Sequence, residues 1–441
     1  MTADLPPQQT PRSLQGLRIL DLSRILAAPT CTQLFGDLGA EIIKVERPGT
    51  GDDTRVWGPP FINDGTGEPT GLSAYFVCAN RNKRSIAVDL ASEAGAEVIR
   101  RLAAVSDVVI ENYKPGDLAR RGLGYDQLRQ VKPDLIWCSV SGFGHTGPYA
   151  ERIGYDFLVQ AMGGIMSITG APEEEGGEPM KVGVGVADIV CGLYAGVGIL
   201  AALRHRDLTG EGQFIDLSLY DSQVAWLVNA ATNYLVTGKR PRRLGNRHPN
   251  IVPYQTFRAS DGHLVVAIGN DRQFARFADV MAHPEWAQDE RFRSNPARVA
   301  NHGALEALIL EETRKRPVAD WVERLVAAGV PAGPVAAIDE VLSDPHTLAR
   351  GMVIEMPAPG LDQPLKLLGN PLKMSATPPV YERPPPRLDA DREHILRHVL
   401  GLAPDEIQDL EERGAFAPVS YTHLRAHETP EHLVCRLLLE K

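Results

Sequence analysis

Long uninterrupted apolar runs are missing from this 441-residue sequence, and so is any excess of positive charge. No stretch approaches the ~18 consecutive apolar residues of a membrane-spanning helix, so no membrane partner is expected. Lys and Arg total 46 against 56 Asp and Glu, a net charge of −10. That sign argues against nucleic acid or an anionic membrane surface as the main partner. A small anionic ligand stays open, because a local basic pocket fits within an acidic protein. Cysteine is scarce: Cys31, Cys78, Cys138, Cys191 and Cys435 are scattered without a C-x-x-C pair. Such usage suits small buried residues in a reducing compartment rather than a disulfide framework. The opening MTADLPPQQTPRS lacks a basic stretch followed by an apolar one, so it reads as a polar lead-in and not a secretory signal. A cytoplasmic protein is the resulting expectation.

Familiar nucleotide and hydrolase signatures are missing too. A dinucleotide fold needs G-x-G-x-x-G directly after its first strand, where glycines admit the pyrophosphate. After RILDL (18–22) this chain reads SRILAAPTC, without a glycine. The nearest match, Gly196-Val-Gly198-Ile-Leu-Ala201, sits inside an apolar helical run, where close helix packing explains it better. G-x-x-x-x-G-K-[ST], H-E-x-x-H and G-x-S-x-G do not occur, and no metal site is expected.

What is present is an alternation of strands and helices. RILDL (18–22), EIIKVE (41–46), RSIAVDL (84–90), DVVIEN (107–112) and LIWCSVSG (135–142) are short buried-strand runs. Between them lie helical stretches such as 29–40 and 93–105. This order predicts a Rossmann-like α/β domain around a mostly parallel sheet. A long apolar helix follows within 181–206, with small residues at Gly192, Ala195, Gly196 and Gly198 that let another backbone approach. The Pro- and Arg-rich loop PRRLGNRHPNIVPYQ (241–255) marks a boundary. The expected organisation is a lead-in over 1–13, a large domain over 14–238, and a smaller α/β domain over 239–332. A return segment over 333–419 completes the large domain. The end, 420–441, shares no pattern with the rest and resembles translated adapter sequence. Its His423, His427, His432 and Cys435 are therefore not read as zinc ligands.

Six segments in order and spacing resemble the class III CoA-transferases, the family of formyl-CoA and carnitine CoA-transferases. They are LDLSRILAAPTCTQLFGDLGAEIIKVERPGTGDDTR (20–55), NRNKRSIAVDL (80–90), DVVIENYKPGDLARRGLGY (107–125), GYDFLVQAMGG (154–164), VGVADIVCGLYAGVGILAAL (184–203) and GNRHPNIVPYQ (245–255). Each is weak alone; six in register over roughly 14–415 are specific. The resemblance implies transfer of CoA from an acyl-CoA to a free carboxylic acid, with no cofactor beyond CoA itself. It also implies an interlocked homodimer.

By the same resemblance Asp188 is the nucleophile. From position alone a helix N-cap is the commoner use of an aspartate there. The two readings are compatible, since a helix N-terminus favours the carboxylate anion that must attack. Arg24, Ile25, Leu26, Ala27, Arg47, Val88, Asn112, Tyr113, Arg120 and Tyr155 match CoA-contacting positions. Lys83, Arg84 and Arg121 belong to the same basic set, any of which could instead be solvated surface charge. Ile153 stands where some members carry a lysine, and Arg152 is the candidate substitute. The 245–255 loop looks like that of the branch acting on dicarboxylic acids, so Arg247, His248 and Asn250 are candidate substrate residues. A Pro-stiffened linker is the alternative. Two rival functions share the scaffold. An α-methylacyl-CoA racemase would need an imidazole where Tyr155-Asp156 stands. A non-catalytic CoA-binding protein would have no use for Asp188.

Overall fold

A computed structural model describes residues 11–416 of the chain. The tail 420–441, with its histidines and Cys435, lies outside the described residues, as do the first ten residues of the lead-in.

The described chain divides into two compact units. The larger takes the described residues up to Ile153, Cys191–Ser218 and those from Glu355 onward. The smaller takes Gly154–Val190 and Leu219–Ile354. This division falls at 218 and 354, where the sequence suggested 238 and 332, and it groups 154–190 with the smaller unit. Helical periodicity shows that a helix buries one face, but not which core receives it. The helix Val186–Thr209 begins among residues of the smaller unit and continues among those of the larger.

In the larger unit the strands are β1 (Arg18–Asp21), β2 (Glu41–Glu46), an antiparallel pair β3 (Phe61–Asn63) and β4 (Pro69–Ser73), then β5 (Lys83–Ala87), β6 (Val108–Glu111), β7 (Ile136–Ser141) and β8 (Phe214–Ser218). Six of them form one wholly parallel sheet in the order β5-β2-β1-β6-β7-β8. Parallel neighbours require crossovers that cover both faces, so central strands are apolar at consecutive rather than alternate positions. Accordingly Val-Val-Ile-Glu of β6 and Ile-Trp-Cys-Ser-Val-Ser of β7 are buried along their whole length.

The helix Glu93–Ala104 buries Val98, Ile99 and Leu102 in the core of this unit, and Ser92 caps it by accepting from Gly95 N–H at 2.9 Å. The same core takes in Ile395, Leu396, Leu410 and Phe416 from the last part of the chain. The helix Ala27–Asp37 and the 191–203 stretch of the long helix pack together. A Cβ on Gly192 would fall 2.4 Å from the Ala27 carbonyl oxygen, so only glycine lets the two backbones approach this closely. By length and composition alone the helix Val186–Thr209 is apolar enough to cross a membrane. Asp188 interrupts its apolar run. Core packing accounts for one face of it: Cys191, Ala195, Ile199, Ala202 and Leu203 recur at helical spacing and are buried.

The smaller unit holds an antiparallel sheet in which β9 (Tyr254–Arg258) and β11 (Ala332–Pro334) flank β10 (His263–Ala267). Phe257, Leu264, Phe274, Phe277, Ile309 and Trp321 make its core. Arg298 is fully buried there because each of its nitrogens has an acceptor: Val252 O at 2.7 Å, Phe292 O at 2.8 Å and Asp271 at 2.8 Å.

Candidate active site

The sheet order reverses between β1 and β6, and open α/β sheets bind ligands beyond the carboxyl ends of strands at such a point. Here the two chain exits are stitched together. Arg24 N–H donates to Asn112 Oδ1 at 2.9 Å, and Asn112 Nδ2 donates back to Arg24 O at 2.7 Å. Ile25, at φ +72°, directs its N–H at the Asp52 carboxylate (3.2 Å). The Arg24 guanidinium pairs with Asp53 at 2.7 Å and lies 5.4 Å from the Tyr113 ring centre. Arg47 pairs with the same Asp53. One carboxylate shared by two guanidiniums leaves a net positive charge at the sheet's carboxyl edge, which suits a phosphate. Burial pushes the Tyr113 hydroxyl above its usual pKa, although Arg24 and Arg47 pull it down.

Arg47, Val88 and Tyr113 line a cavity of about 490 Å³ together with Pro48, Leu90 and Arg121. The structure thus gathers Arg24, Ile25, Arg47, Asn112 and Tyr113 around Asp52 and Asp53, with Val88 on the cavity wall. Leu26 and Ala27 are buried at the start of the helix Ala27–Asp37. Arg120 is apart from that cavity's lining, exposed and paired with Asp117. Arg121, its neighbour, does line the cavity. Two of the basic set are structural. Lys83 is wholly buried, bonded to Asp21 (3.1 Å), Pro29 O (2.9 Å) and Asn80 (2.9 Å). Arg84 is held by Asp391 at 3.2 Å. Solvated charge is corrected for Lys83, whose buried ammonium already has three partners. Arg152 stacks on Tyr149 at 3.9 Å beside an exposed Ile153.

Asp188 lies in the first turn of Val186–Thr209, at its third residue, so it is not the N-cap. Asp156 does the capping: its Oδ1 accepts from Ala187 N–H at 2.8 Å and Asp188 N–H at 3.3 Å. Its Oδ2 accepts from Gln160 Nε2 at 2.7 Å, while Gln160 Oε1 accepts from Val182 N–H at 2.9 Å. Among the described residues the Asp188 carboxylate accepts no hydrogen bond. Burial, then the negative charge of Asp156, pushes the Asp188 carboxyl up to about 7. The expectation that the helix terminus favours its anion is therefore reversed. A helix dipole contributes roughly 0.3–1 kcal/mol, and Asp156 occupies the first-turn N–H groups. Lifting a carboxyl from 3.8 to about 7 corresponds to roughly 4 kcal/mol. Tyr155 is exposed at the start of the helix Asp156–Met162. Gln160 escaped sequence reasoning, and Asp156 entered it only through the racemase alternative, although the acidic first turn of that helix was a visible signal.

In the smaller unit the 241–255 loop is tied to the Gly/Glu-rich loop over 170–178. Gly245 N–H donates to Gly170 O at 3.1 Å, and Arg243 donates to Ala171 O and Gly177 O, both at 3.1 Å. Arg247 pairs with Glu175 at 3.0 Å and donates to Leu244 O at 3.1 Å. His248 Nδ1 accepts from Asn250 N–H at 3.1 Å, and Asn250 O accepts from Asn295 at 2.8 Å. Among the described residues no cluster of three or more metal-ligating side chains occurs.

The model of CoA-transferase family III matches residues 14–392. The succinate–glutarate CoA-transferase of Agrobacterium fabrum is 46% identical over 399 residues, covering 89% of this chain and 96% of that protein. The human succinyl-CoA:glutarate CoA-transferase is 42% identical over 389 residues, covering 88% and 86%. The crystal structure of a CAIB/BAIF family protein from Brucella suis superposes with a TM-score of 0.79 at 47% identity, covering 88% of this chain and all of that one. With the fold, the order of its segments and most of the chain's length in agreement, this protein belongs to CoA-transferase family III.

Proposed function

We propose that the enzyme moves CoA from a dicarboxylic thioester such as succinyl-CoA to a dicarboxylic acid such as glutarate, through an aspartyl-CoA thioester on Asp188. The observation that carries the proposal is the Asp188 carboxylate, partly buried at a helix start and without a hydrogen bond of its own. The relatives named for succinate, succinyl-CoA and glutarate support the substrate class. One Asp188 oxygen attacks the donor's thioester carbonyl, the C–S bond breaks, and CoA leaves as thiolate, giving a mixed anhydride. The thiolate attacks Asp188 Cγ, and the bond from Cγ to the bridging oxygen breaks. The donor acid departs as a carboxylate and Asp188 holds CoA. The acceptor carboxylate runs the same steps in reverse. Each displacement exchanges one anion for another, so no proton has to be moved. CoA's phosphates go to Arg24 and Arg47, with Ile25, Leu26, Ala27, Val88, Asn112, Tyr113, Arg120 and Tyr155 as the further contacts that the family resemblance implies.

The assembly belonging to this reading is a homodimer. Leu193, Tyr194, Val197 and Leu200 support it, as apolar side chains exposed on a single chain. A hydrodynamic mass of one chain would remove that part. The test of the reaction is a panel of acyl-CoA donors against carboxylic acids, with CoA exchange followed by mass spectrometry. Exchange confined to monocarboxylic acids would sink the substrate class.

Arg247, with His248 and Asn250 on the same loop, is the proposed seat of the substrate's second carboxylate, which would take the place of Glu175 on the guanidinium. A carboxylate buried without a cation costs several kcal/mol. Arg247→Ala is therefore expected to lower kcat/KM for glutarate by about 30-fold, or ~2 kcal/mol, and to leave a matched monocarboxylate within about threefold. Equal losses for both acids would leave the loop as a linker.

A further inference from the structure

We infer that Asp156 is a positioning residue for Asp188: its carboxylate clamps the first turn of the long helix and so sets the line along which the Asp188 carboxylate meets the thioester. This rests on Asp188 being the nucleophile. The clamp is made wholly within the smaller unit. Asp156 Oδ1 takes both the Ala187 and the Asp188 N–H, at 2.8 and 3.3 Å. Asp156 Oδ2 is itself fixed by Gln160 Nε2 at 2.7 Å. Gln160, fully buried one turn later on the Asp156–Met162 helix, also takes Val182 N–H at 2.9 Å. The chain entering the helix and the helix's first turn thus hang on one Asp–Gln pair, spaced i and i+4 so that both side chains share a helix face.

The clamp has a chemical consequence. By binding the Asp188 backbone N–H, Asp156 brings its own charge close to a carboxylate that has no hydrogen bond. Like charges at this separation disfavour two anions, and within the smaller unit Asp156 is the charged group that acts on Asp188. The repulsion disappears when Asp188 becomes an anhydride or thioester, since both are neutral. A more basic carboxylate is also the better nucleophile. Asp156 therefore holds Asp188 in place and raises its reactivity by the same contact.

The test uses the full-length enzyme with its acyl-CoA and acid substrates. Asp156→Asn offers Gln160 an amide in place of a carboxylate oxygen, so the bond between them is lost. Transfer is expected to fall by about 10- to 100-fold in kcat with little change in KM for the acyl-CoA, the scale that misplacement of a reacting group by about 1 Å produces. Its acid limb in the pH–rate profile should move below that of the wild type, because a charge beside Asp188 has gone. Asp156→Asn combined with Gln160→Glu restores one amide NH2 and three accepting oxygens to the pair and moves the charge one side chain away. It is expected to recover most of kcat while keeping the lowered acid limb. A merely structural role would restore both together or move neither. If folded Asp156→Asn keeps kcat within twofold and the wild-type acid limb, the inference is overturned, while loss of transfer in Asp188→Ala would still uphold the nucleophile. Should Asp188→Ala itself remain active, the reading beneath the inference fails instead.

Discussion

Asp188→Ala is expected to lower CoA transfer by at least about 10³-fold while CoA affinity stays within a few-fold of wild type. The side chain is proposed to form the covalent bond, whereas the positions proposed for CoA are gathered around Asp52 and Asp53 in the larger unit. Rapid-quench mass spectrometry should find a CoA adduct on the wild-type chain and none on the variant. The same site carries a second expectation, in stability. Its folded pKa of about 7 stands above the usual 3.8. Between those values the folded state keeps a proton that the unfolded chain has lost, so this group's contribution to stability falls as pH rises from about 4 to about 7. Above that it stays at its minimum, because the native state then holds a partly buried anion beside Asp156. Activity runs the other way, since the anion is the attacking form. Asp188→Asn should thus be inactive yet more stable than wild type at pH 8, on the order of 2 kcal/mol, with the difference vanishing near pH 4. Normal turnover in a folded Asp188→Ala protein, or equal stability of Asp188→Asn and wild type at pH 8, would contradict these expectations separately.

The sheet was legible because a parallel strand buried on both faces is a short, continuous apolar run. All five strands expected before residue 142 are strands of the sheet, with β5 beginning one residue earlier than expected and ending at Ala87 rather than 90. Asp188 was less legible. Nothing local distinguishes it from a helix cap, and only the order of six segments across the chain singled it out. Its surroundings were not legible at all. Asp156 looks like the ordinary acidic start of its own helix, and its partners Ala187 and Asp188 lie 31 and 32 residues away. Arg247 reads as a free cation until Glu175, 72 residues earlier, is brought against it. The division into two units at 218 and 354 was illegible for the same reason. The helix Asp271–Val280 carries an apolar face, Phe274 and Phe277, whose core the sequence alone does not identify.

Lys83 carries the other large expectation, and it concerns how the loop of Arg24 and Ile25 is held. Lys83→Met should destabilise the protein by about 3–5 kcal/mol, because it strips the cation from a buried cluster and leaves Asp21 charged without its main partner. Asp21 is fully buried, accepting from Ser23, from Thr32 Oγ1 at 2.6 Å and from Lys83 at 3.1 Å. Burial alone would raise its pKa, but Lys83, Lys44, Ser23 and Thr32 together hold it below the usual value. Lys44 extends the cluster to Asp52 at 2.8 Å and to Ser23 O at 3.0 Å. Burial works against the Asp52 anion as well, yet Lys44 and Thr54 bring that carboxyl down to about 2. Asp52 in turn receives the N–H of Ile25, a β-branched residue at φ +72°, where strain of order 1–3 kcal/mol must be outweighed by surrounding contacts. The chain of bonds from Lys83 through Asp21, Ser23, Lys44 and Asp52 therefore fixes the loop that presents Arg24 and Ile25. Asp21→Asn combined with Lys83→Met removes both charges at once and should cost less than Lys83→Met alone, since no unpaired ion stays buried. Urea denaturation of the three proteins measures the order, and KM for the acyl-CoA should rise most in Lys83→Met. If Lys83→Met lies within 1 kcal/mol of wild type, the loop is held by its backbone, and the cluster contributes neither stability nor the placement of Arg24.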